Sequence, residues 1–186
     1  MTERCTWVGA SPQMIAYHDE EWGVPVRDDV ALWGKLVLDG FQAGLSWAII
    51  LRKRADFLRV FEGFDPRRVA RWDEERIAAA LADPGIVRNR AKVRAAVTNA
   101  QAFERLAEEG VSFTELLWSF TGGGPLVNRW QDVREIPSSS PEADAMAKAL
   151  KKRGFRFCGP TICYAFMQAV GMVNDHTVGC FRHGEV

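Results

Sequence analysis

Residues that an ordinary helical core does not call for are concentrated in a few stretches of this chain. Leu36 to Leu51 is almost wholly apolar, yet it carries one carboxylate, Asp39. Gly40 and Gly44 follow, and Trp47 comes three residues after the second glycine. Glycine lets a ligand approach the backbone, tryptophan offers a flat face, and a carboxylate supplies polarity. Two readings fit: a pocket wall, or a helix–helix corner with Asp39 in solvent. The Gly40–Gly44 step is expected to bend or break the chain. A second set is of metal-ligand type. His176 and Cys180 are spaced to close on one ion, and Cys5 and His18 are the only early cysteine and histidine. Together they make a complete tetrahedral zinc set of the structural kind, with no open position for a zinc-bound hydroxide. The halves lie at opposite ends of the chain, so spacing alone does not establish the site.

A third stretch, Lys151-Lys152-Arg153 through Gly159-Pro160-Thr161, reads as helix, tight apolar turn, helix. Backbone N–H groups at such a helix start can hold a phosphate, and the basic cluster adds positive charge. That is the layout of a helix-hairpin-helix, which grips a DNA backbone without reading sequence. The competing reading is an αα-hairpin with a solvated charged end. Cys158 and Cys163, among apolar neighbours, read as small buried hydrophobes. His183 falls in a tail expected to be mobile.

The elements that must position these residues are helices. Asp28 or Asp29 caps one that carries Leu32, Leu36 and Val37 on one face. A second runs from Leu45 or Ser46 to about Phe61. Asp65-Pro66 and Asp73-Glu74-Glu75 start two more. Ile86 to Arg94 leads into a long amphipathic helix whose early basic residues, Lys92 among them, read as a solvated face. Phe113 to Phe120 is short, Thr121 to Pro125 is the strongest breaker, and Ser140 caps a helix ending at Arg153. No strand pattern of convincing length is present. The expectation is an all-α fold, a single domain over 1–186 of two helical lobes with the hairpin near 151–164.

Composition sets the bounds. The chain has 186 residues, 47% hydrophobic and 26% charged, with a net charge of zero, so any nucleic-acid contact must come from a local basic face. Seven tryptophans are many for this length and hint at ligand stacking as well as packing. No apolar run reaches the roughly 18–20 residues of a membrane span, and the N-terminus lacks a signal-peptide core. A soluble cytoplasmic protein is expected, with its four cysteines as thiols or metal ligands.

Longer motifs then converge. Glu3-Arg4-Cys5 with Trp7, Tyr17-His18-Asp19 with Glu21-Trp22-Gly23 and Pro25, Gln42-Ala43-Gly44-Leu45-Ser46-Trp47, Gly85-Ile86-Val87-Arg88, and Leu150 to Phe157 through Asn174-Asp175-His176 resemble the bacterial 3-methyladenine DNA glycosylases of the constitutive Tag type. The resemblance runs from Glu3 to Cys180. It implies a helix-hairpin-helix glycosylase with one structural zinc on Cys5, His18, His176 and Cys180. It also implies an aromatic base pocket on Tyr17 and Trp47, with Trp7 and Trp22 nearby, and a backbone-gripping hairpin from Phe157 to Thr161. Lys151, Lys152, Gly159 and Thr161 are the candidate DNA contacts, and Leu45 is the candidate wedge for the gap left by a flipped base.

Three positions depart from the family's pattern. Asp39 stands where a longer Glu is usual, Met14 replaces a pocket Tyr, and Phe41 replaces a small or polar residue. The activity implied is hydrolysis of the N-glycosidic bond of 3-methyladenine in alkylated double-stranded DNA, with Asp39 as the catalytic carboxylate. The alternative is a catalytically weakened binder of alkylated DNA with the same fold. Methylation at N3 makes the base a cation, so it departs neutral and needs little acid catalysis. No lysine of the pocket region suggests Schiff-base chemistry, so a monofunctional, monomeric hydrolase using water is expected. Asp175 either aids the water or the sugar cation or, the preferred reading, supports His176 from behind.

Overall fold

The computed structural model describes residues 3–186. The described residues form nine α-helices: α1 (Pro12–Glu20), α2 (Asp29–Gln42), α3 (Trp47–Val60), α4 (Pro66–Val69), α5 (Glu74–Ala82), α6 (Arg90–Glu108), α7 (Phe113–Trp118), α8 (Pro141–Lys152) and α9 (Pro160–Ala169). Side-chain oxygens close several helix starts. Asp28 accepts from the Ala31 N–H at 2.8 Å, Asp73 from Arg76 at 2.8 Å, and Ser140 from Ala143 at 3.2 Å. Each such cap contributes about 1 kcal/mol.

The main core forms around α2, which buries Leu32, Trp33, Leu36, Val37, Leu38 and Phe41 and packs on α3, α6 and α9. The bend expected of the Gly40–Gly44 step falls at its second glycine: α2 runs through Gly40 to Gln42. Gly40 serves instead as a close-approach point. A Cβ there would stand 3.4 Å from the Cβ and backbone oxygen of Phe157, so its absence lets the hairpin turn lie against the helix. The bend comes at Ala43–Ser46, where Gly44 has φ +77°.

Lys92 secures that bend and departs from the expected solvated basic face, whereas Arg88, Arg90 and Arg94 are exposed as expected. Its side chain is 8% exposed, and its ammonium donates to the backbone oxygens of Phe41 at 2.8 Å and Ala43 at 2.6 Å. A cation against the free carbonyls of a helix C-terminus satisfies both acceptors and suits the dipole.

The α8–α9 pair is joined by an apolar turn over 153–159. Asn99 on α6 holds the turn at two points, accepting from the Arg156 N–H at 2.7 Å and donating to the Arg156 carbonyl at 3.0 Å. Cys158 and Cys163 are buried thiols, as expected. A two-residue parallel pair was not legible beforehand: β1 (Leu126–Val127) sets Leu126 opposite Val173 and Val127 opposite Asn174 of β2 (Val173–Asn174).

A smaller cluster ties the two ends of the chain together: Cys5, Val8, Tyr17, Trp22, Leu51, Ala169 and Cys180. The C-terminal segment is fastened to this region, contrary to the mobile tail expected around His183. Asn174 donates to the carbonyls of His183 at 3.0 Å and Val186 at 2.9 Å, and the His183 ring meets the Asn128 carbonyl at 2.8 Å. Among the described residues no helix is long and apolar enough to cross a membrane.

Candidate functional site

Four helices enclose a cavity of about 430 Å³, within the usual range for a small-molecule site. From α1 come Met14 and Tyr17, from α2 Lys35, Asp39 and Gln42, from α3 Trp47, and from α9 Ala165 and Gln168. Trp7 and Trp22 complete one side, and Val133, Ile136 and Pro137 the other. All five expected pocket residues, Tyr17, Trp47, Trp7, Trp22 and Met14, therefore line one space together with Asp39. The reading of Asp39 as a solvent-exposed corner residue is excluded, because it is only 2% exposed. It sits one turn before the end of α2, where Lys92 and Gly44 fix the bend that brings Trp47 around.

The walls are aromatic. The Tyr17 and Trp47 rings lie 5.2 Å apart, tilted by 42°, and Trp7 meets Trp22 edge-to-face at 5.0 Å. Burial, and then the negative charge of Asp39, drive the Tyr17 hydroxyl well above its usual pKa, so it stays neutral.

Lys35 was missed from the sequence, although its spacing to Asp39 was visible. One helical turn before Asp39, its ammonium pairs with Asp39 Oδ1 and sits 4.2 Å from the centre of the Trp47 ring. The premise that no lysine bears on the pocket is thus corrected. Burial lowers the Lys35 pKa and raises that of Asp39, and in each case their mutual attraction opposes the shift.

Two buried polar atoms of the cavity residues have no hydrogen-bond partner among the described residues: Asp39 Oδ2 and Trp47 Nε1. Leaving such an atom unpaired costs about 1–3 kcal/mol. One acceptor and one donor thus remain beside flat aromatic faces, which suits a planar heterocycle carrying an amine.

Next to the cavity lies the cysteine–histidine cluster. The ligand atoms of Cys5, His18, His176 and Cys180 all fall within 4.8 Å of one another, and all four residues are buried. Cys5 Sγ is 3.7 Å from His176 Nδ1, and Cys180 Sγ is 3.5 Å from both His176 Nδ1 and His18 Nε2. A tetrahedron with metal–ligand bonds of about 2.0–2.3 Å has edges of this length. The outward nitrogens are held as metal ligands require: His18 Nδ1 lies 2.7 Å from Asp19, itself clamped by Arg4, and His176 Nε2 lies 3.1 Å from the Trp22 carbonyl. A Cβ at Gly23 would stand 2.9 Å from His176 Nε2, so glycine is needed for this approach. The donor set and its spacing fit a tetrahedral ion.

The cluster also braces the cavity wall. Trp7 packs on the His18 ring at 5.4 Å and Trp22 on the His176 ring at 4.5 Å.

Asp175 does not support His176, the role preferred from sequence. Its carboxylate instead receives four donors: Asn128 and Trp130 on Oδ1 at 2.7 Å each, and Tyr164 at 2.7 Å and Gln168 at 2.8 Å on Oδ2. It fixes Gln168, which lines the cavity.

The expected DNA contacts are distributed unevenly. Leu45 is 37% exposed at the bend, and Gly159 and Thr161 are exposed at the start of α9. Phe157, at the tip of the turn, is 41% exposed with φ +52°. Lys151 borders the hollow of the turn with Gly159, whereas Lys152 borders a different hollow beside Arg105 and Glu109. The two lysines do not form one cluster.

The sequence model of the methyladenine glycosylase family matches residues 7–183. The chain belongs to the methyladenine glycosylase family. DNA-3-methyladenine glycosylase 1 of Escherichia coli strain K12 is 48% identical over 178 residues, 96% of this chain and 95% of that protein. A crystal structure of 3-methyladenine DNA glycosylase I superposes with a TM-score of 0.95 at 49% identity, covering 96% of this chain and 98% of the other. A second solved structure, a Tyr-to-Phe variant of such an enzyme in complex with 3-methyladenine, gives a TM-score of 0.92 at 31% identity over 96% of each chain.

Proposed function

We propose that this protein hydrolyses the N-glycosidic bond of 3-methyladenine in alkylated double-stranded DNA, releasing the free base and leaving an abasic site. The observation that carries this reading is the aromatic cavity with a buried, half-paired carboxylate, in a chain of the methyladenine glycosylase family. Extruding a base from the duplex costs a few kcal/mol. Stacking on Tyr17 and Trp47 returns about 1–3 kcal/mol per base, and a cationic ring gains more on an aromatic face. Asp39 Oδ2 accepts from the exocyclic amine. Asp is one methylene shorter than the family's Glu, so the base sits deeper or a water bridges the gap. Because N3-methylation already weakens the bond, the residues select and hold the cation while water attacks the sugar.

Lys35 does not change this to lyase chemistry. In the free protein its ammonium is paired with Asp39 and lies over Trp47, and the labile N3-methylated base can leave without a covalent intermediate. The reaction is monofunctional, and borohydride should trap no covalent DNA adduct.

Zinc is the ion we assign to Cys5, His18, His176 and Cys180. When bound it would supply a structural pin between the two chain ends, with no position free for chemistry. The Phe157–Thr161 hairpin and Lys151 grip the phosphate backbone as a helix-hairpin-helix, and Leu45 enters the gap left by the base. The protein acts as a monomer in the bacterial cytoplasm.

The test is release of free methylated base from methylated DNA by the wild type and Asp39→Asn. Release by the wild type with a large loss in the variant supports the reading. Binding without release would make the protein a damaged-DNA binder, and equal rates would remove Asp39 from the chemistry.

A further inference from the structure

Among the described residues, Lys35 is the one charged group lining the cavity that the reaction above does not use. Its ammonium holds Asp39 Oδ1 and lies over the Trp47 ring, two features that would draw a cation into the site, and leaves Asp39 Oδ2 unpaired. We propose that Lys35 occupies the cation position of the base site in the free protein and is displaced when the charged base enters, which makes it a specificity-determining residue. The proposal rests on the base-pocket reading.

Three features support the exchange. First, the pair leaves the site with no net charge, whereas Asp39 alone would make it negative. Lys35 therefore sets how much of base selection comes from charge and how much from stacking and shape. Second, the displaced side chain has somewhere to go. Lys35 and Tyr17 stand in the wall between the base cavity and a neighbouring groove of about 800 Å³, which Lys35 also lines. Glu20, Glu21 and Asp28 border that groove, against one opposing cation, Arg54, which is paired with Glu21. A four-carbon stem can rotate the ammonium from one side of this wall to the other. Third, the reaction itself removes the displacing charge. The base enters as a cation and is neutral once the glycosidic bond has broken, so the returning ammonium competes with product and not with water.

The experiment compares two probes by tryptophan-fluorescence titration at mildly alkaline pH: 3-methyladenine, a neutral base, and the fixed cation 3,9-dimethyladeninium. Both are titrated against the wild type, Lys35→Met, Lys35→Gln and Lys35→Arg. Lys35→Met and Lys35→Gln should improve the affinity ratio of cation to neutral base by at least tenfold, and Lys35→Arg should keep the wild-type ratio. A role confined to packing moves both probes together and leaves the ratio fixed. An unchanged or reduced ratio in both uncharged variants overturns the proposal while leaving the pocket reading in place. Failure of the wild type to bind either probe refutes both.

Discussion

Replacing Lys92 with Met removes an ammonium and keeps most of the stem. In the native protein that ammonium donates two hydrogen bonds, to the carbonyls of Phe41 and Ala43. Bonds to a charged group contribute about 1.5–3 kcal/mol each. Burial of the ammonium, which pulls its pKa down, offsets part of that sum. The net loss on Lys92→Met is therefore about 2–4 kcal/mol, and for a chain of this length each kcal/mol lowers Tm by roughly 2–4 °C. Thermal unfolding followed by circular dichroism should show a drop of roughly 4–16 °C. The bend it secures, Ala43–Ser46, lies between Asp39 and Trp47 and carries Leu45. Base release measured well below the new Tm should fall by about tenfold or more, since small misplacements of positioned groups have such effects. A loss below about 1 kcal/mol with unchanged base release would refute the view that Lys92 builds the site.

Elemental analysis should find about one zinc per chain, and Cys180→Ser should lose it together with several kcal/mol of stability. That variant should also bind base more weakly, because Trp7 and Trp22 rest on His18 and His176; a stable, zinc-free wild type would contradict the assignment. Lys151→Ala should reduce the salt dependence of DNA binding by about one unit of slope, and Lys152→Ala should leave it nearly unchanged. Equal effects would put both lysines on the DNA. Burial raises the Asp39 pKa above its ordinary 3.8. The carboxylate is therefore lost earlier than usual on acidification, and affinity for a fixed cationic base should weaken as pH falls through that raised value. Lys35 and the neutral Tyr17 hydroxyl face the same group, and Asp39→Asn should abolish the dependence.

The metal cluster and the aromatic walls were legible in the sequence because their residue types are unusual and their motifs long. Cys5, His18, His176 and Cys180 could be grouped by ligand type, and the family resemblance joined the two ends where spacing alone did not. Residues that act through ordinary types were not. Lys92 lay in a basic run that pattern reads as solvated, and only the approach of the α2 C-terminus shows that its ammonium caps carbonyls. Asn99 and Asp175 work through backbone and side-chain partners far away in sequence, which no local period reveals. Gly40 and Gly44 were read together as one bend, which falls at Gly44; a glycine inside a helix also permits close packing, and the neighbour that uses Gly40, Phe157, is brought in by tertiary structure. Lys35 could have been found: its i, i+4 spacing to Asp39 places both on one face, and a lone buried carboxylate calls for a partner.

The central claim concerns one cavity, and a crystal structure of the protein with 3-methyladenine tests it most directly. The purine ring should lie between Tyr17 and Trp47, with its exocyclic nitrogen about 3 Å from Asp39 Oδ2 or bridged to it by one water. A base bound in the neighbouring groove beside Glu21, or one in the cavity with its amine turned away from Asp39, would contradict the account.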